Sequence, residues 1–203
     1  GETPAGEIPA GEIPAGEIPA GEMPAGEMPA GEMMNQCEED SDCSDEQVCI
    51  ENQCQEPPNL PDFCRFQSPL DSTIETNNEL TVYARVFEQG ITNTTPETDV
   101  NDSVLGQIGW RRSGNAQFDW IDAEANLDYN GLPFGREEAV KDEYQAVLTF
   151  ETSGTFELAA RFSVDGGLNW LLCDYGVDGA GSDDGFDPDE LGSVLVLDPC
   201  DNG

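Results

Sequence analysis

Residues 156–164, which read Phe-Glu-Leu-Ala-Ala-Arg-Phe-Ser-Val, carry the clearest structural pattern in this 203-residue chain. Every second side chain from Phe156 to Val164 is apolar, and the positions between them include Glu157 and Arg161. Successive side chains of a β-strand point to opposite faces, so a period of two predicts a strand with one face in a core. The segment therefore indicates a half-buried strand.

The same alternation recurs on both sides of this segment. Residues 80–87 and 144–150 show it most clearly, and shorter apolar runs predict further strands near 104–111, 117–122, 168–173 and 193–197. Turn sequences between some of these runs favour hairpins, namely Ser153-Gly154 and Asp165-Gly166-Gly167. About seven short strands without a convincing helix predict an all-β fold, an antiparallel immunoglobulin-like β-sandwich. We assign residues 63–200 to this domain.

Three cysteines lie in or beside the predicted sandwich: Cys64, Cys173 and Cys200. They cannot all pair among themselves, and a Cys64–Cys173 bond would tie the entering strand to a core strand. Cys200 is then left over, and an odd cysteine in a secreted protein suggests an interchain bond or a free thiol.

Residues 35–56 contain four closely spaced cysteines: Cys37, Cys43, Cys49 and Cys54. A segment this short cannot bury enough apolar surface to fold alone, so disulfides must replace a core. Of the three possible pairings we favour the crossed one, Cys37 with Cys49 and Cys43 with Cys54. Zinc is the alternative, but the spacing is wide and the chain has no histidine. Residues 57–62 form a proline-rich hinge.

Residues 1–34 repeat the pentapeptide Gly-Glu-x-Pro-Ala. A proline at every fifth position excludes a helix, and a glycine period of five excludes collagen. The segment is expected to be a solvated, extended stalk or, in a polymer, a central strand contacted from every side. The side chains that would make such assembly contacts are Ile8, Ile13, Ile18, Met23, Met28 and Met33.

Charge restricts the partners of this chain. Seven Lys and Arg residues stand against 43 Asp and Glu residues, a formal charge of −36, which excludes nucleic acid and acidic membrane surfaces as partners. The clustered cysteines indicate an oxidising compartment. No run of 18 apolar residues exists, so we expect no transmembrane segment, and we expect any signal peptide to have been removed.

An acidic, glycine-rich loop at residues 174–190 is a candidate calcium site, because hard cations bind six to eight oxygens from flexible loops. Calcium is the one cofactor that the sequence suggests, although the spacing does not match an EF-hand and a solvated acidic loop is the alternative. The candidate ligands are Asp178, Asp183, Asp184, Asp187 and Asp189.

Aromatic and basic side chains suggest two kinds of contact. Exposed rings could stack on sugars, and the candidates are Trp110, Trp120, Trp170, Tyr129 and Tyr175. Trp170, in phase with Leu168 and Leu172, is expected to be buried, whereas Trp110 is the best candidate for a surface contact. Arg111 and Arg112 balance local charge or dock an acidic neighbour, such as the Glu-rich repeat of another copy.

Two stretches resemble known bacterial proteins. The GEMPAG-type repeat followed by C-x5-C-x5-C-x4-C resembles secreted proteins and lipoproteins of myxobacteria-like bacteria, which implies a lipid-modified cysteine ahead of Gly1. Residues 63–198 are similar to a β-sandwich module appended to bacterial extracellular enzymes and surface proteins. The matching stretches are FCRFQSP (63–69), LTVYARVFEQGIT (80–92), DEY (142–144), SGTFELAARFSVDGGLNW (153–170) and CDYGVDGAG (173–181). The resemblance implies an accessory or structural module outside a bacterial cell.

The absence of histidine argues against an enzyme, because the commonest general base and the nucleophile pairs that use it are missing. We expect a non-catalytic extracellular structural protein that self-assembles into a filament or surface layer. The alternative is a cell-surface-tethered module on a flexible stalk that binds calcium, carbohydrate or other cell-surface components. The order of the repeat and the pairing of Cys200 discriminate between the two.

Overall fold

The computed structural model describes residues 37–44, 47–176 and 179–199. The chain divides into two compact units, residues 1–56 and 57–203. Strands dominate the described part and the only helices there are short 3₁₀ turns, so the all-β class is confirmed. Among these residues no helix is long and apolar enough to cross a membrane.

The first unit is organised around a two-stranded hairpin. Strands β1 (Val48–Ile50) and β2 (Gln53–Gln55) are antiparallel and are joined by Glu51 and Asn52. Both turn residues have positive φ, 52° and 63°, which is the backbone that lets a two-residue turn follow the twist of a hairpin. These two strands were not predicted from the sequence.

Crossed disulfides replace a hydrophobic core in this unit. The predicted pairs are present, Cys37–Cys49 and Cys43–Cys54. A 3₁₀ turn, Asp40–Asp42, precedes the second cysteine, and Asp40 Oδ1 accepts a hydrogen bond of 2.8 Å from the Cys49 N–H. Each bridge is worth about 2–4 kcal/mol by restricting the unfolded chain.

The second unit contains nine strands. In chain order they are β3 (Phe63–Ser68), β4 (Asp71–Glu75), β5 (Glu79–Phe87), β6 (Leu105–Arg112), β7 (Asp119–Ala125), β8 (Asp142–Thr149), β9 (Gly154–Ser163), β10 (Leu171–Cys173) and β11 (Gly192–Leu197). Two 3₁₀ turns, Leu132–Phe134 and Gly181–Asp184, lie in the connections. Every predicted strand segment therefore overlaps an observed strand, and β4 is a strand that was not predicted.

The strands follow one hydrogen-bonded path in the order β3-β5-β8-β7-β6-β9-β11-β4, and β10 pairs with β9 beside β11. Strand β7 pairs with β6 along most of its length and with β8 at Glu124 and Ala125. It thereby connects β3, β5 and β8 on one side of the path with β6, β9, β11 and β4 on the other. The pair β4 and β11 is parallel, which corrects the expectation of a wholly antiparallel domain. A long connection separates these two strands in the chain, so their pairing is not restricted to a hairpin.

The inner sides of these strands form one hydrophobic core. Its fully buried side chains include Val82 on β5, Ile108 on β6 and Leu158 on β9. Fully burying such a side chain contributes about 1.5–3 kcal/mol. The alternation in residues 156–164 is therefore the pattern of a core strand, as predicted.

The first strand of the path, β3, is attached to β10, the strand that pairs with β9. The predicted disulfide Cys64–Cys173 joins β3 to β10, and both cysteines are fully buried. Next to it the Phe66 N–H donates a hydrogen bond of 2.6 Å to the Asp174 carbonyl. These bonds fix the acidic loop that follows β10 against β3.

Candidate binding face

The outer face of β7, β6 and β9 carries aromatic and planar polar side chains. Gln107 on β6 lies opposite Asp122 on β7 and opposite Arg161 on β9, and Gly109 lies opposite Trp120. Residues opposite each other across a strand pair point to the same face. We call the following set the tryptophan face: Gln107, Trp120, Asp122, Arg161 and Trp170.

Arg161 lies between two indole rings. Its Cζ is 4.3 Å from the ring centre of Trp120 and 4.5 Å from that of Trp170. Burial lowers the pKa of Arg161, and within the described residues the side chain makes no ion pair. Its charge is therefore stabilised by the faces of two half-exposed aromatic rings.

A chain of hydrogen bonds extends from Arg161 across three strands. Its Nε donates to Gln107 Oε1 at 2.8 Å, and Gln107 Nε2 donates to Asp122 Oδ1 at 2.8 Å. The two bonds fix the orientation of the amide. The guanidinium, amide and carboxylate groups of these three side chains are thus held in fixed positions beside the two indole rings. This arrangement is preorganised for hydrogen bonding to a ligand.

Trp120 occupies its position because β6 has a glycine there. A Cβ at Gly109 would lie 2.6 Å from the nearest atom of the Trp120 ring, so only glycine lets the ring cover the strand. Ala159, opposite Gly109 on β9, is fully buried even though it shares the outer face with Arg161. Side chains therefore cover this part of the sheet.

The loop between β9 and β10 positions Trp170. The Asp165 carboxylate accepts hydrogen bonds of 3.0 Å from the N–H groups of Leu168 and Asn169, and Trp170 Nε1 donates to the Gly167 carbonyl at 3.0 Å. Hydrogen bonding, above all by Asn169, lowers the pKa of Asp165 to about 2. An ionised carboxylate thus anchors the loop that presents this ring.

Arg111 lies on the same face of the sheet, beyond Trp120 and next to Phe118. Its Cζ is 4.5 Å from the ring centre of Phe118, which in turn is 5.4 Å from that of Trp120. Its Nε donates to Glu157 at 2.6 Å. Two cationic groups and three aromatic rings therefore form a continuous row on this side of the sheet.

A surface cleft adjoins Asp122, at the point where β7 diverges from β8. Its volume is about 480 Å³, within the usual range for small-molecule pockets. Polar side chains dominate its wall, among them Tyr83, Asp122, Glu124 and Gln145. Asp122 belongs to both the cleft and the hydrogen-bonded chain, so the two features form one continuous surface.

The structure corrects the assignment of the tryptophans. Trp110 packs against the core from the inner side of β6, so it is not the surface candidate. Trp170 lies on the outer face, and Leu168, which was expected to be buried with it, is 83% exposed at the loop tip. Of the two tyrosines, Tyr129 is buried and Tyr175 packs partly against the core.

The two arginines proposed for assembly have partners in their own chain. Arg111 is paired with Glu157, and Arg112 donates a hydrogen bond of 2.6 Å to the Ser153 carbonyl. Docking of an acidic neighbour would require these contacts to be exchanged. The other predicted assembly residues and the cysteine proposed for interchain bonding lie outside the described residues: Ile8, Ile13, Ile18, Met23, Met28, Met33 and Cys200.

The predicted calcium ligands lie on the loop after β10, except that Asp178 is outside the described residues. The other four are exposed: Asp183, Asp184, Asp187 and Asp189. Within the described part of the chain no three carboxylates bring ligand oxygens within 4.8 Å of one another. The one group that does, Cys37, Cys43 and Cys54, consists of disulfide-bonded sulfurs, which are not thiolate ligands.

Sequence reasoning missed Gln107, Asp122 and Arg161 as members of one surface. They occupy polar positions of three amphipathic segments, and a period-two pattern shows that they face outward but not which strands are neighbours. The relevant signal is Gly109, an isolated glycine inside a strand, because such glycines mark close approach of another group.

In comparisons with known proteins, no protein-family model matches the chain and no curated protein is similar to it in sequence.

Proposed function

We propose that this chain is a non-catalytic extracellular protein whose all-β domain binds carbohydrate through the tryptophan face. The observation that carries the proposal is Arg161, held between Trp120 and Trp170 and hydrogen-bonded to Gln107. Sugars offer apolar C–H faces that pack on aromatic rings and hydroxyl groups that need donors and acceptors. The face supplies both kinds of group side by side.

The three disulfides support an extracellular or cell-surface location, because such bonds persist in oxidising compartments. The finer fold proposed is an immunoglobulin-like sandwich, in which a rigid pair of sheets supports a binding face. In this proposal the proline-rich repeat is the tether that carries the domain. The extracellular location, the immunoglobulin-like fold and the tether are all parts of the same proposal.

The net charge of the chain restricts the class of polysaccharide that it is expected to bind. With a formal charge of −36, the protein repels anionic polysaccharides at low ionic strength. Within the tryptophan face, Arg161 and Asp122 offset each other's charge. The proposed ligand is therefore a neutral polysaccharide.

The test is a binding assay on insoluble cellulose, chitin and β-1,3-glucan, with alginate beads as the anionic comparison. We expect the full chain to bind at least one neutral polysaccharide and not alginate. The variants Trp120→Ala and Trp170→Ala should each weaken that binding about tenfold, the loss expected for one aromatic contact.

Leu127→Ala is the matched control, because Leu127 is an apolar side chain that is 69% exposed and lies outside the tryptophan face. Circular dichroism and thermal melting show whether each variant is folded. Binding to none of the neutral polysaccharides would overturn the proposal. Equal binding by the folded tryptophan variants and the wild type would do the same.

A further inference from the structure

The carboxyl group of Asp142 is buried at the start of β8. Asp142 is fully buried, although its side chain is normally ionised and hydrated. One carboxyl oxygen, Oδ1, accepts a hydrogen bond of 3.0 Å from the Asp99 N–H. The other oxygen, Oδ2, has no hydrogen-bond partner within the described part of the chain. An ionised group with so few contacts is costly to bury, and it lowers this cost by becoming neutral.

The charged groups around Asp142 do not offset a negative charge there. Asp99 faces it from the connection between β5 and β6, and the charge of Asp99 repels that of Asp142. Arg85, on the neighbouring strand, and Lys141, the preceding residue, both form ion pairs with Glu138. Asp142 itself makes no ion pair among the described residues. The site therefore favours the neutral acid.

The pKa values of the neighbouring groups identify Asp142 as the one that changes charge near neutral pH. Burial raises the pKa of Asp142 to about 7; the hydrogen bond from the Asp99 N–H opposes this rise, and the charge of Asp99 adds to it. Burial acts in the same direction on Asp99, but hydrogen bonds from Thr94 and Thr95 hold its pKa below the ordinary value. Burial, followed by the charge of Asp142, raises the pKa of the Tyr144 hydroxyl, which therefore stays protonated.

The connection between β5 and β6, residues 88–104, lies against the start of β8 at this point. The Thr98 hydroxyl accepts a hydrogen bond of 3.3 Å from the Glu143 N–H, next to the bond between the Asp99 N–H and Asp142. Two consecutive residues of the connection are thus attached to two consecutive residues of β8. Because Asp142 is fully buried, its carboxyl group can be hydrated only if such contacts open.

Other contacts of the connection do not depend on Asp142. The Thr92 hydroxyl donates to the Val140 carbonyl at 3.1 Å, and the Gly131 N–H donates to the Pro96 carbonyl at 2.9 Å. Hydroxyl and peptide groups do not titrate near neutral pH. These contacts hold the connection at any moderate pH, so the effect of Asp142 is expected to be local.

We propose that Asp142 is a pH-dependent latch: the neutral acid keeps residues 94–104 attached to β8, and the ionised form, above neutral pH, releases them. The neutral acid removes both the cost of a buried charge and the repulsion by Asp99. The ionised form can recover hydration only by opening the contacts that cover it. The latch goes beyond carbohydrate binding and does not depend on it.

The direction of the pH effect follows from the two states of the chain. The folded-state pKa of Asp142 lies near 7, whereas the ordinary value is 3.8. Between these values the folded chain binds the proton and the unfolded chain does not. Stability from this group is therefore present below about pH 4 and is lost as the pH rises through the folded-state pKa of about 7.

The first test is thermal melting of the full chain at pH 5 and at pH 8, at fixed ionic strength. Asp142→Asn is the key variant, because the amide represents the neutral acid and keeps an oxygen acceptor for the Asp99 N–H. It should melt with the wild type at pH 5 and about 5 °C or more above it at pH 8. Asp128→Asn, which removes an exposed carboxylate elsewhere, should follow the wild type at both pH values.

The second test distinguishes release of the connection from a general loss of stability. Hydrogen exchange, corrected for the intrinsic effect of pH, is followed by mass spectrometry at pH 6 and pH 8. Protection of residues 94–104 in the wild type should fall about tenfold relative to β9, which serves as the internal reference. In Asp142→Asn the protection of residues 94–104 should not change.

Three results would each overturn the proposal. The first is a carbon-13 titration of the wild-type Asp142 carboxyl group with a midpoint near 4 instead of near 7, a measurement that needs no variant. The second is equal melting of Asp142→Asn and Asp128→Asn at pH 8. The third is protection of residues 94–104 that falls only in parallel with β9, which would mean that Asp142 destabilises the whole domain without acting as a latch.

Discussion

Two groups of basic side chains in the β domain are held in different ways. On one side of the sheet Glu138 accepts from Arg65 at 3.1 Å and from Lys141 at 2.8 Å, and it also pairs with Arg85. Arg85 is additionally paired with Glu143 at 3.1 Å. We call these five residues the Glu138 cluster. On the tryptophan face, in contrast, Arg161 is held by two rings and an amide.

The difference separates a stabilising cluster from a binding surface. In the Glu138 cluster every cation faces a carboxylate of its own chain and the side chains are at most 16% exposed, so the charges are neutralised internally. Arg161 keeps its charge without a carboxylate, and the groups around it are half exposed. Removing a cluster member should therefore cost stability, and removing a member of the tryptophan face should mainly cost binding.

The largest effect is expected from Glu138→Gln. The variant leaves three cations around a neutral group, and breaking a buried ion pair from one side costs about 3–5 kcal/mol. Urea unfolding of the full chain measures the loss. Glu137→Gln is the control, because Glu137 is the exposed neighbour and makes no ion pair among the described residues. A loss below about 1 kcal/mol would show that the cluster is not stabilising.

A smaller effect is expected from Arg161→Ala. It removes two cation–π contacts and one hydrogen bond, together worth about 1–2 kcal/mol in free energy of unfolding. Tryptophan fluorescence should change as well, because the cation touches two of the three indoles. The exposed Arg136→Ala should change neither quantity. A loss as large as that of Glu138→Gln would erase the proposed difference between the two regions.

The smallest effect concerns pH. Burial alone would raise the pKa of Glu138, but the hydrogen bond from Lys141 and the charge of Arg65 lower it below its ordinary value. Stability from this group is therefore present above pH 4.5 and is lost as the pH falls through the lower folded-state pKa. From pH 6 to pH 3 the wild type should therefore lose more free energy of unfolding than Glu138→Gln does.

The reference variant for this pH series is Arg161→Ala, which should follow the wild type. Other carboxylates contribute equally to all three proteins, so the differences between them isolate Glu138. Parallel curves for the wild type and Glu138→Gln would contradict the assigned pKa direction.

Local pattern predicted the disulfides and most of the strands, though not β1, β2 and β4, because both depend on neighbours in sequence or on pairing rules. The alternation in residues 156–164 is set by the core alone, and it predicted β9 correctly. Trp170 was misplaced for the opposite reason: β10 begins at Leu171, so Trp170 belongs to the loop and its orientation follows Asp165, not a strand period. Pattern arguments fail where a side chain organises a loop.

The binding surfaces were not predictable because they depend on contacts between distant segments. Gln107, Asp122 and Arg161 meet only because β7, β6 and β9 are neighbours in the sheet. The burial of Asp142 likewise depends on the connection between β5 and β6, whereas the sequence shows this residue as one acid among many. The immunoglobulin-like subtype, which depends on the same long-range pairings, stays a prediction.

The Cys64–Cys173 disulfide also determines how the second unit responds to mechanical force. A load applied between residues 57 and 199 enters β3, crosses the sulfur–sulfur bond and leaves through the chain after β10. The segment between the two cysteines, a sequence separation of 109, lies outside this path, so about 370 Å of contour length is withheld from extension. The tryptophan face, carried by β6, β7, β9 and Trp170, lies within that shielded segment, so the load does not run along the backbone that carries it.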